Sequence, residues 1–334
     1  MPAEGAPHDR CWMAWPCREA LWGDGLQAAR EAYAAVAKAV SAFEPVTMLA
    51  PRALVGEAAR LCGSAVEVAT PRHGDAWAGI DDSWVRDTGP SFLIDGNGGI
   101  VGCDWRFNGW GGKYSSIDDD AALASRILAQ LNIKCFSAPF VLEGGAFHID
   151  GDGTALATES VLLNANRNPG ADKAAMERHL EDWLGARKVI WLPGGLVGDE
   201  TDGHVDNVAC FARPGVVLAL KAAGENDPND GILRANRRVL EGARDASGRR
   251  LEIIEIEQPT LRDHANNPLA ASYMNFYLAN GGVIAPRFGI PADGPAAEVL
   301  ANAFPERRVV QVDAAAIVRG GGGIHCITQQ QPRP

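Results

Sequence analysis

The chain has 334 residues, of which 46% are apolar and 22% charged, a composition typical of a globular protein with a large core. Its 42 acidic and 31 basic residues give a formal net charge of −11, which argues against a nucleic-acid partner and suits a small cationic ligand. No apolar run approaches the ~18–20 residues that cross a bilayer, the first ten residues are unlike a signal peptide, and seven cysteines without a pairing pattern favour a reducing, cytoplasmic compartment.

The predicted elements recur in one order along the chain: a helix, a strand and then a hairpin with a glycine turn. The predicted helices cover 26–41, 52–62, 118–131, 172–184, 231–243 and 292–303. The predicted strands that follow them cover 46–49, 65–69, 134–137, 188–192, 251–256 and 308–312. Hairpins are predicted to turn at 95–99, 150–153, 213–215 and 280–282, at intervals of about sixty residues.

The last repeat carries only one predicted strand, 323–329, and the N-terminal segment 11–15 alternates like a strand that lacks a partner. Pairing the two would complete a fifth hairpin and leave no free sheet edge. We therefore predict a single α/β domain over 1–334 in which five helix-strand-hairpin units close into a ring and the N-terminal strand completes the last unit. An ordinary open α/β sheet is the alternative, because the repeats share element order and turn spacing rather than sequence.

Residues able to do chemistry stand just before or within the hairpin of each unit. They are Asp87, Glu143, His204 with Asp206, and Cys326. In a closed ring, equivalent positions converge on the axis, so residues far apart in sequence are expected to line one pocket.

These residue types allow three chemistries. The first is a Cys-His-Asp hydrolase of acyl groups, but several buried acids would repel the oxyanion that forms in such a reaction. The second is a metal site, although one histidine amid acids lacks the usual ligand spacing. The third is attack of the Cys326 thiolate on a cationic carbon that carboxylates hold. A guanidinium fits this third chemistry, because paired carboxylates bind it fork to fork while a protonated His204 supplies a proton to the departing nitrogen.

Several segments, spread nearly end to end, resemble the agmatine deiminases of the guanidino-modifying (pentein) superfamily. These segments are 1–4, 12–16, 84–90, 107–112, 142–145, 164–169, 199–207, 271–277 and 324–330. The resemblance implies the five-bladed α/β propeller of that superfamily. It also implies hydrolysis of agmatine to N-carbamoylputrescine and ammonia, a step of polyamine biosynthesis, without a metal or organic cofactor and often in a homodimer.

The resemblance also implies a role for individual residues. Cys326 matches the nucleophile and His204 the general acid/base. The acids around the guanidinium and the imidazole match Asp87, Glu143 and Asp206. Trp84 would line the pocket, and Glu200 corresponds to an acid near the far amine of the substrate.

Two residues beside the nucleophile, Gly323 and His325, can be interpreted fully only with the structure. Gly323 stands where the family usually has Asn, which removes an amide that could hydrogen-bond near Cys326. His325 would point away from Cys326 if both lay on a strand, so we expect it to be structural. A deiminase of arginine or of peptidyl-arginine remains the alternative function, but the excess of Asp and Glu in the motifs favours agmatine, which carries no carboxylate.

Overall fold

The computed structural model describes residues 1–334 and contains eighteen strands. The strands are β1 (His8–Ala14), β2 (Val46–Leu49), β3 (Glu67–Ala69), β4 (Arg72–His73), β5 (Ala76–Trp77), β6 (Ser91–Ile94), β7 (Ile100–Arg106), β8 (Lys134–Val141), β9 (Phe147–Ile149), β10 (Thr154–Thr158), β11 (Lys188–Leu192), β12 (Ala209–Arg213), β13 (Val216–Lys221), β14 (Glu252–Glu257), β15 (Tyr277–Ala279), β16 (Gly282–Arg287), β17 (Arg308–Asp313) and β18 (Gln329–Pro332).

Twelve helical segments connect these strands. They are α1 (Glu19–Trp22), α2 (Leu26–Ser41), α3 (Val55–Cys62), α4 (Val85–Thr88), α5 (Gly109–Gly112), α6 (Asp118–Ala121), α7 (Leu123–Gln130), α8 (Glu159–Leu162), α9 (Lys173–Leu184), α10 (Asp230–Gly242), α11 (Asp293–Ala303) and α12 (Ala315–Arg319). None of them is both long and apolar enough to cross a membrane.

Four sheets share one plan, in which an antiparallel hairpin is followed, after helical segments, by a third strand parallel to the second. They are β6-β7-β8, β9-β10-β11, β12-β13-β14 and β15-β16-β17. A helical crossover is the connection that parallel neighbours require, which explains why a helix precedes each third strand. The strands β4 and β5 form a separate small hairpin.

A fifth sheet is built from both ends of the chain. β1 pairs antiparallel with β18, where Trp12 lies opposite Gln329, and parallel with β2, where Trp12 lies opposite Thr47. β18, β1 and β2 therefore repeat the plan of the other sheets, and β3 adds a further parallel strand. The predicted α/β class is confirmed, and five sheets of one plan are what a five-bladed propeller requires.

The hairpin turns follow from local sequence. In the first, Asp95 Oδ1 accepts hydrogen bonds from the amides of Asn97 and Gly99, both at 2.8 Å. Gly98 adopts a φ of 79°, and Gly215 and Gly281 take similar positive φ values of 80° and 77° in later turns. Residues with a Cβ rarely adopt this conformation, so Asp and Gly together specify the turns.

The helices pack through one apolar face. In α2 the buried positions Ala29, Tyr33, Val36, Ala37 and Val40 recur at intervals of three and four residues. This spacing places them on one side of the helix, against the core. Burying a side chain such as Val36 contributes about 1.5–3 kcal/mol to folding.

The predicted strand 323–329 is wrong except at its last residue. Residues before Gln329 form a loop, because the glycines press against bulky side chains from elsewhere in the chain. A Cβ on Gly320 would lie 2.2 Å from the Trp22 ring, and one on Gly322 would lie 2.5 Å from the Trp84 ring. The predicted helix 118–131 is also divided, since the backbone leaves the helix at Ala122 between α6 and α7.

Candidate active site

The segments that precede the first strand of each sheet meet at one place. These segments carry Asp87, Glu143, His204 with Asp206, Asn275 and Cys326. The space between them is so small that a Cβ on Gly145 would lie 2.6 Å from His204 Nδ1. It would also lie 3.0 Å from Asp206 Oδ2 and 3.1 Å from Asp87 Oδ1, so only glycine fits. The structure thus brings together the five residues that the sequence places before separate hairpins.

Cys326 lies at the bottom of a cleft with its side chain largely buried. Its Sγ is 3.6 Å from Asp206 Oδ2, and Asn275 Nδ2 donates a hydrogen bond to it at 3.2 Å. Burial raises the pKa of the Cys326 thiol well above its usual value, and the charges of Asp206 and Asp87 raise it further. A cation next to the sulfur would oppose these effects and favour the thiolate.

His204 is held between two carboxylates. Its Nδ1 is 3.8 Å from Asp87 Oδ2, and its Nε2 is 3.7 Å from Glu143 Oε2. Burial alone would lower the pKa of His204, but the charges of Asp87, Glu143 and Asp206 raise it to about 9. The imidazole therefore carries a proton at neutral pH and can act as a general acid.

Asp87 is oriented by two donors from different segments. Trp110 Nε1 donates to Oδ2 at 2.9 Å, and the Gly145 amide donates to Oδ1 at 2.8 Å. Burial raises the pKa of Asp87, and this effect outweighs the opposing charge of His204. Trp110 was not expected in the site, although the segment 107–112 belongs to the resemblance.

Glu143 is fully buried and is fixed by an arginine. Arg167 Nε donates to Glu143 Oε1 at 2.7 Å, and Arg167 also donates to Asp202 and, at 3.0 Å, to the Thr201 carbonyl. Burial acts to raise the pKa of Glu143, but His204 and Arg167 hold it below its usual value. Glu143 is therefore ionised, and Arg167 ties it to the loop that carries His204.

Asp206 accepts a hydrogen bond from His325, which corrects the expectation for this histidine. His325 Nδ1 lies 2.9 Å from Asp206 Oδ2, the same oxygen that approaches Cys326 Sγ. Neither His325 nor Asp206 lies on a strand, since 323–328 form a loop and Val205–Asn207 form a 3₁₀ turn. His325 therefore does not point away from the site.

The same histidine reaches the N-terminal segment. Its Nε2 lies 2.9 Å from Glu4 Oε1, and Glu4 is also 3.4 Å from Arg86 Nη1. Burial acts to raise the pKa of Glu4, but His325, Arg86 and His148 hold it well below its usual value. A buried chain of acid, imidazole and acid thus leads from Glu4 to the nucleophile.

Aromatic side chains and two acids, Asp87 and Glu200, line the cleft above Cys326, which holds about 350 Å³ of empty space including the part open to solvent. The walls include Trp84, Trp110 and Tyr114, and Trp84 stacks on Trp22 with 5.6 Å between ring centroids. Glu200 is exposed at this wall, where the Tyr114 hydroxyl donates to its carboxylate. The structure therefore places Trp84 and Glu200 on the cleft and separates Glu200 from the buried acids.

Three polar atoms in this region are buried and make no hydrogen bond. They are Glu143 Oε2, Asp206 Oδ1 and His204 Nε2. Unpaired buried groups of this kind are costly, so they mark atoms that are available to a ligand. Two carboxylate oxygens and an imidazolium beside a thiol can bind a planar cation, transfer a proton and attack an electrophilic carbon.

Arg167, Asn275 and Glu4 are parts of the site to which the sequence analysis assigned no role. The only signal for them was their presence in the resembling segments 164–169, 271–277 and 1–4. Sequence spacing gives no distance between them and Cys326, and their polar contacts appear only once the sheets are assembled.

Comparison with known proteins agrees with this geometry. The family model described as Porphyromonas-type peptidyl-arginine deiminase matches residues 1–332. The agmatine deiminase of Stutzerimonas stutzeri is 46% identical, with coverage of 100% of this chain and 95% of that protein. The structure of agmatine deiminase of Enterococcus faecalis superposes with a TM-score of 0.94 at 37% identity, covering 100% of this chain and 95% of that one.

A further solved structure is a cysteine-to-serine variant of the C. jejuni agmatine deiminase with substrate bound. It has a TM-score of 0.88 and 27% identity, and covers 99% of this chain and 95% of that one. The resemblance and the α/β fold of the pentein superfamily are thereby confirmed. The chain belongs to the Porphyromonas-type peptidyl-arginine deiminase family, and its full-length relatives in that family include the agmatine deiminases.

Proposed function

We propose that this protein hydrolyses agmatine to N-carbamoylputrescine and ammonia, with Cys326 as a covalent nucleophile. The observation that carries the proposal is the convergence of the Cys326 thiol, the His204 imidazolium and three buried carboxylates below one cleft. An acyl hydrolase is a poorer match, because these acids would oppose the negative charge of its tetrahedral intermediate. The full-length similarity to agmatine deiminases supports the same reaction.

Binding uses the unpaired oxygens. Glu143 Oε2 and Asp206 Oδ1 are free to accept N–H groups of a guanidinium, while Trp84 and Trp110 bound the cleft above. Carboxylates on either side keep positive charge on the central carbon, which makes it electrophilic. The bound cation also lowers the cost of ionising Cys326, whose thiol otherwise lies among acids.

In the first half-reaction, the Cys326 thiol gives up its proton to solvent and the thiolate sulfur adds to the guanidinium carbon. His204 protonates the departing nitrogen, and the C–N bond breaks to release ammonia. A thiouronium-type intermediate remains on the sulfur. In the second half-reaction, neutral His204 takes a proton from water, the hydroxide adds to the carbon, and the C–S bond breaks. The hydroxyl proton passes to the departing sulfur, so the products are N-carbamoylputrescine and the free thiol.

A deiminase of arginine or of peptidyl-arginine is the second candidate, which the description of the matching family favours. The charge on the cleft distinguishes the two. Glu200 faces the cleft and would attract the free amine of agmatine, whereas it would repel the carboxylate of arginine. Lys113 donates to Asp202 at 2.6 Å and to the backbone carbonyl of Glu200, and it forms no ion pair with the Glu200 carboxylate.

The test compares kcat/KM for agmatine, for butylguanidine, which lacks the amine, and for arginine, with ammonia as the readout. Glu200 is exposed, so we expect loss of the amine to cost about tenfold rather than a hundredfold. Arginine should lose at least as much. Equal kcat/KM values for agmatine and arginine would contradict the agmatine assignment and leave only the guanidine chemistry.

Cys326→Ser tests the covalent step in the same assay. We expect its turnover to be abolished while its circular dichroism spectrum and thermal unfolding stay native-like, because an alkoxide is far harder to form than a thiolate. Cys135→Ser is the matched control, since Cys135 is exposed, lies on β8 and is not among the residues that line the cleft. Turnover by Cys326→Ser near the native rate would contradict the covalent mechanism.

The remaining assignments belong to the same proposal. A single catalytic domain over 1–334 is supported by the fifth sheet, which joins the two ends of the chain. The resemblance supports a place in polyamine and putrescine biosynthesis and a homodimer. The cysteine usage supports the cytoplasmic location. Size-exclusion chromatography with light scattering tests the dimer.

A further inference from the structure

The carboxamide of Asn275 uses all of its hydrogen-bonding capacity around the nucleophile. Its Oδ1 accepts from the backbone amides of His325 at 2.7 Å and Cys326 at 3.3 Å. Its Nδ2 donates to Asn207 Oδ1 at 2.9 Å and to Cys326 Sγ at 3.2 Å. Because two backbone donors hold the oxygen, the nitrogen is the atom that faces the sulfur; Oδ1 lies farther from Sγ, at 3.6 Å.

Gly323 makes room for this carboxamide. A Cβ on Gly323 would lie 2.4 Å from Asn275 Oδ1 and 2.6 Å from its Cγ. The family's usual Asn at position 323 therefore does not fit the present arrangement. With glycine at 323, the side-chain amide that contacts Cys326 Sγ comes from Asn275, in the segment before β15.

We propose that Asn275 is the side chain that stabilises the Cys326 thiolate, and that Gly323 is required for it to do so. The proposal rests on the proposed function and extends it. A donor N–H favours a negatively charged sulfur over a neutral one, whereas Asp206 and Asp87 disfavour it. Of the other groups around the sulfur, Tyr33 has a strongly raised pKa and stays neutral, and the Gly323 backbone amide assists Asn275.

The same hydrogen bond serves both half-reactions. In the first, it stabilises the thiolate that adds to the guanidinium carbon. In the second, it stabilises the thiolate that leaves when the C–S bond breaks. Its loss should therefore lower kcat and kcat/KM together and leave KM nearly unchanged.

Asn275→Asp separates this role from a purely structural one. The aspartate keeps the oxygen that accepts from the two backbone amides, but it removes the donor and adds a negative charge. We expect kcat/KM for agmatine to fall about tenfold to a hundredfold. We also expect the pKa of Cys326, read from the pH dependence of its alkylation by iodoacetamide without substrate, to rise by about one unit or more.

Alkylation is followed by mass spectrometry of the peptide that contains Cys326, so the readout does not require activity. Asn229→Asp is the matched control, because Asn229 is also buried, accepts from the Val197 amide at 2.7 Å and donates to Gln258 at 3.2 Å, outside the site. Its alkylation profile should match that of the native protein. An unchanged Cys326 profile in Asn275→Asp would overturn the proposal.

Gly323→Ala is the second variant, and it leaves Asn275 itself intact. Its Cβ should displace the carboxamide from the sulfur and slow Cys326 alkylation in the same direction as Asn275→Asp. A folded Gly323→Ala protein with native alkylation kinetics would overturn the requirement for glycine. These outcomes are independent of the substrate assignment, because a protein that hydrolyses none of the three guanidines still reports the reactivity of its thiol.

Discussion

At His204, burial lowers the pKa of the imidazole and the neighbouring charges raise it, and the charges have the larger effect. The three acids Asp87, Glu143 and Asp206 raise the pKa of the imidazole from 6.5 to about 9. Because the folded-state pKa is the higher one, these contacts contribute stability that is fully present below pH 6.5 and is lost as the pH rises towards 9. The acids that bind a guanidinium thus also keep the proton donor charged at neutral pH.

We predict that kcat/KM decreases as the pH rises through about 9, where His204 loses its proton. Glu143→Gln removes one of the charges that raise this pKa, so the decrease should move to lower pH as well as start from a lower rate. The measurement is the pH profile of kcat/KM; where turnover is too slow, NMR titration of the His204 imidazole in a Cys326→Ser background replaces it. Butylguanidine is the control substrate, because it has no amine that titrates near ~10. An unshifted imidazole pKa in Glu143→Gln would argue against this source of the raised value.

At the level of elements, the site depends on segments from opposite ends of the chain. Glu4 precedes β1 and His325 precedes β18, and pairing of these two strands brings the residues together. Burial and Arg86 act to lower the pKa of His325, but Glu4 and Asp206 raise it. His325 is therefore a positioning residue that links Glu4 to Asp206 without touching the nucleophile.

We predict that Glu4→Gln lowers kcat about threefold to tenfold with little change in KM, because Asp206 loses a charged hydrogen-bond donor when the pKa of His325 falls. The pKa of His325, followed by NMR, should decrease in this variant. Asp9→Asn is the control, since Asp9 lies in the same segment but pairs with Arg333 at the surface. A His325 pKa that is unchanged in Glu4→Gln would show that the buried chain does not transmit charge to Asp206.

The elements also show which parts of the fold can be predicted from sequence alone. The hairpin turns were predicted because Asp95 and Gly98 determine their own turn through contacts within five residues. The prediction of a strand over 323–329 was wrong because the glycine run before it packs against Trp22 and Trp84, which lie far away in sequence. A local sequence pattern therefore predicts a turn that its own residues determine, but it does not predict a shape that distant side chains impose.

The same distinction applies to the candidate site. Cys326, His204 and the acids could be proposed because their residue types suggest chemistry by themselves. Asn275 and Arg167 act through hydrogen bonds to loop residues 51 and 24 positions away in the sequence, and neither residue type stands out in a sequence. Their roles depend on distances that only the assembled sheets define.

For the molecule as a whole, the net charge of −11 includes acids that folding has buried. Asp120 Oδ1 accepts from the amides of Asp81 at 2.9 Å and Asp82 at 3.1 Å. Burial raises the pKa of Asp120 to about 8, and the nearby Asp82 charge adds to this despite the opposing hydrogen bonds. The native state therefore holds a proton that the unfolded chain releases at a much lower pH.

We predict that this proton makes the protein less stable as the pH rises from about 4 to about 8, because over this range the native state binds more protons than the unfolded state. Asp120→Asn keeps an oxygen for the Asp81 and Asp82 amides but cannot ionise. Its Tm should therefore exceed that of the native protein at pH 8, whereas at pH 4, close to the unfolded-state pKa, the two should agree within about 1–2 °C. Asp118→Asn is the control, because Asp118 lies in the same helix but is exposed, and its Tm should match the native value at both pH values. If Asp120→Asn gave no gain in Tm at pH 8, the buried carboxyl would not be the group that links stability to pH.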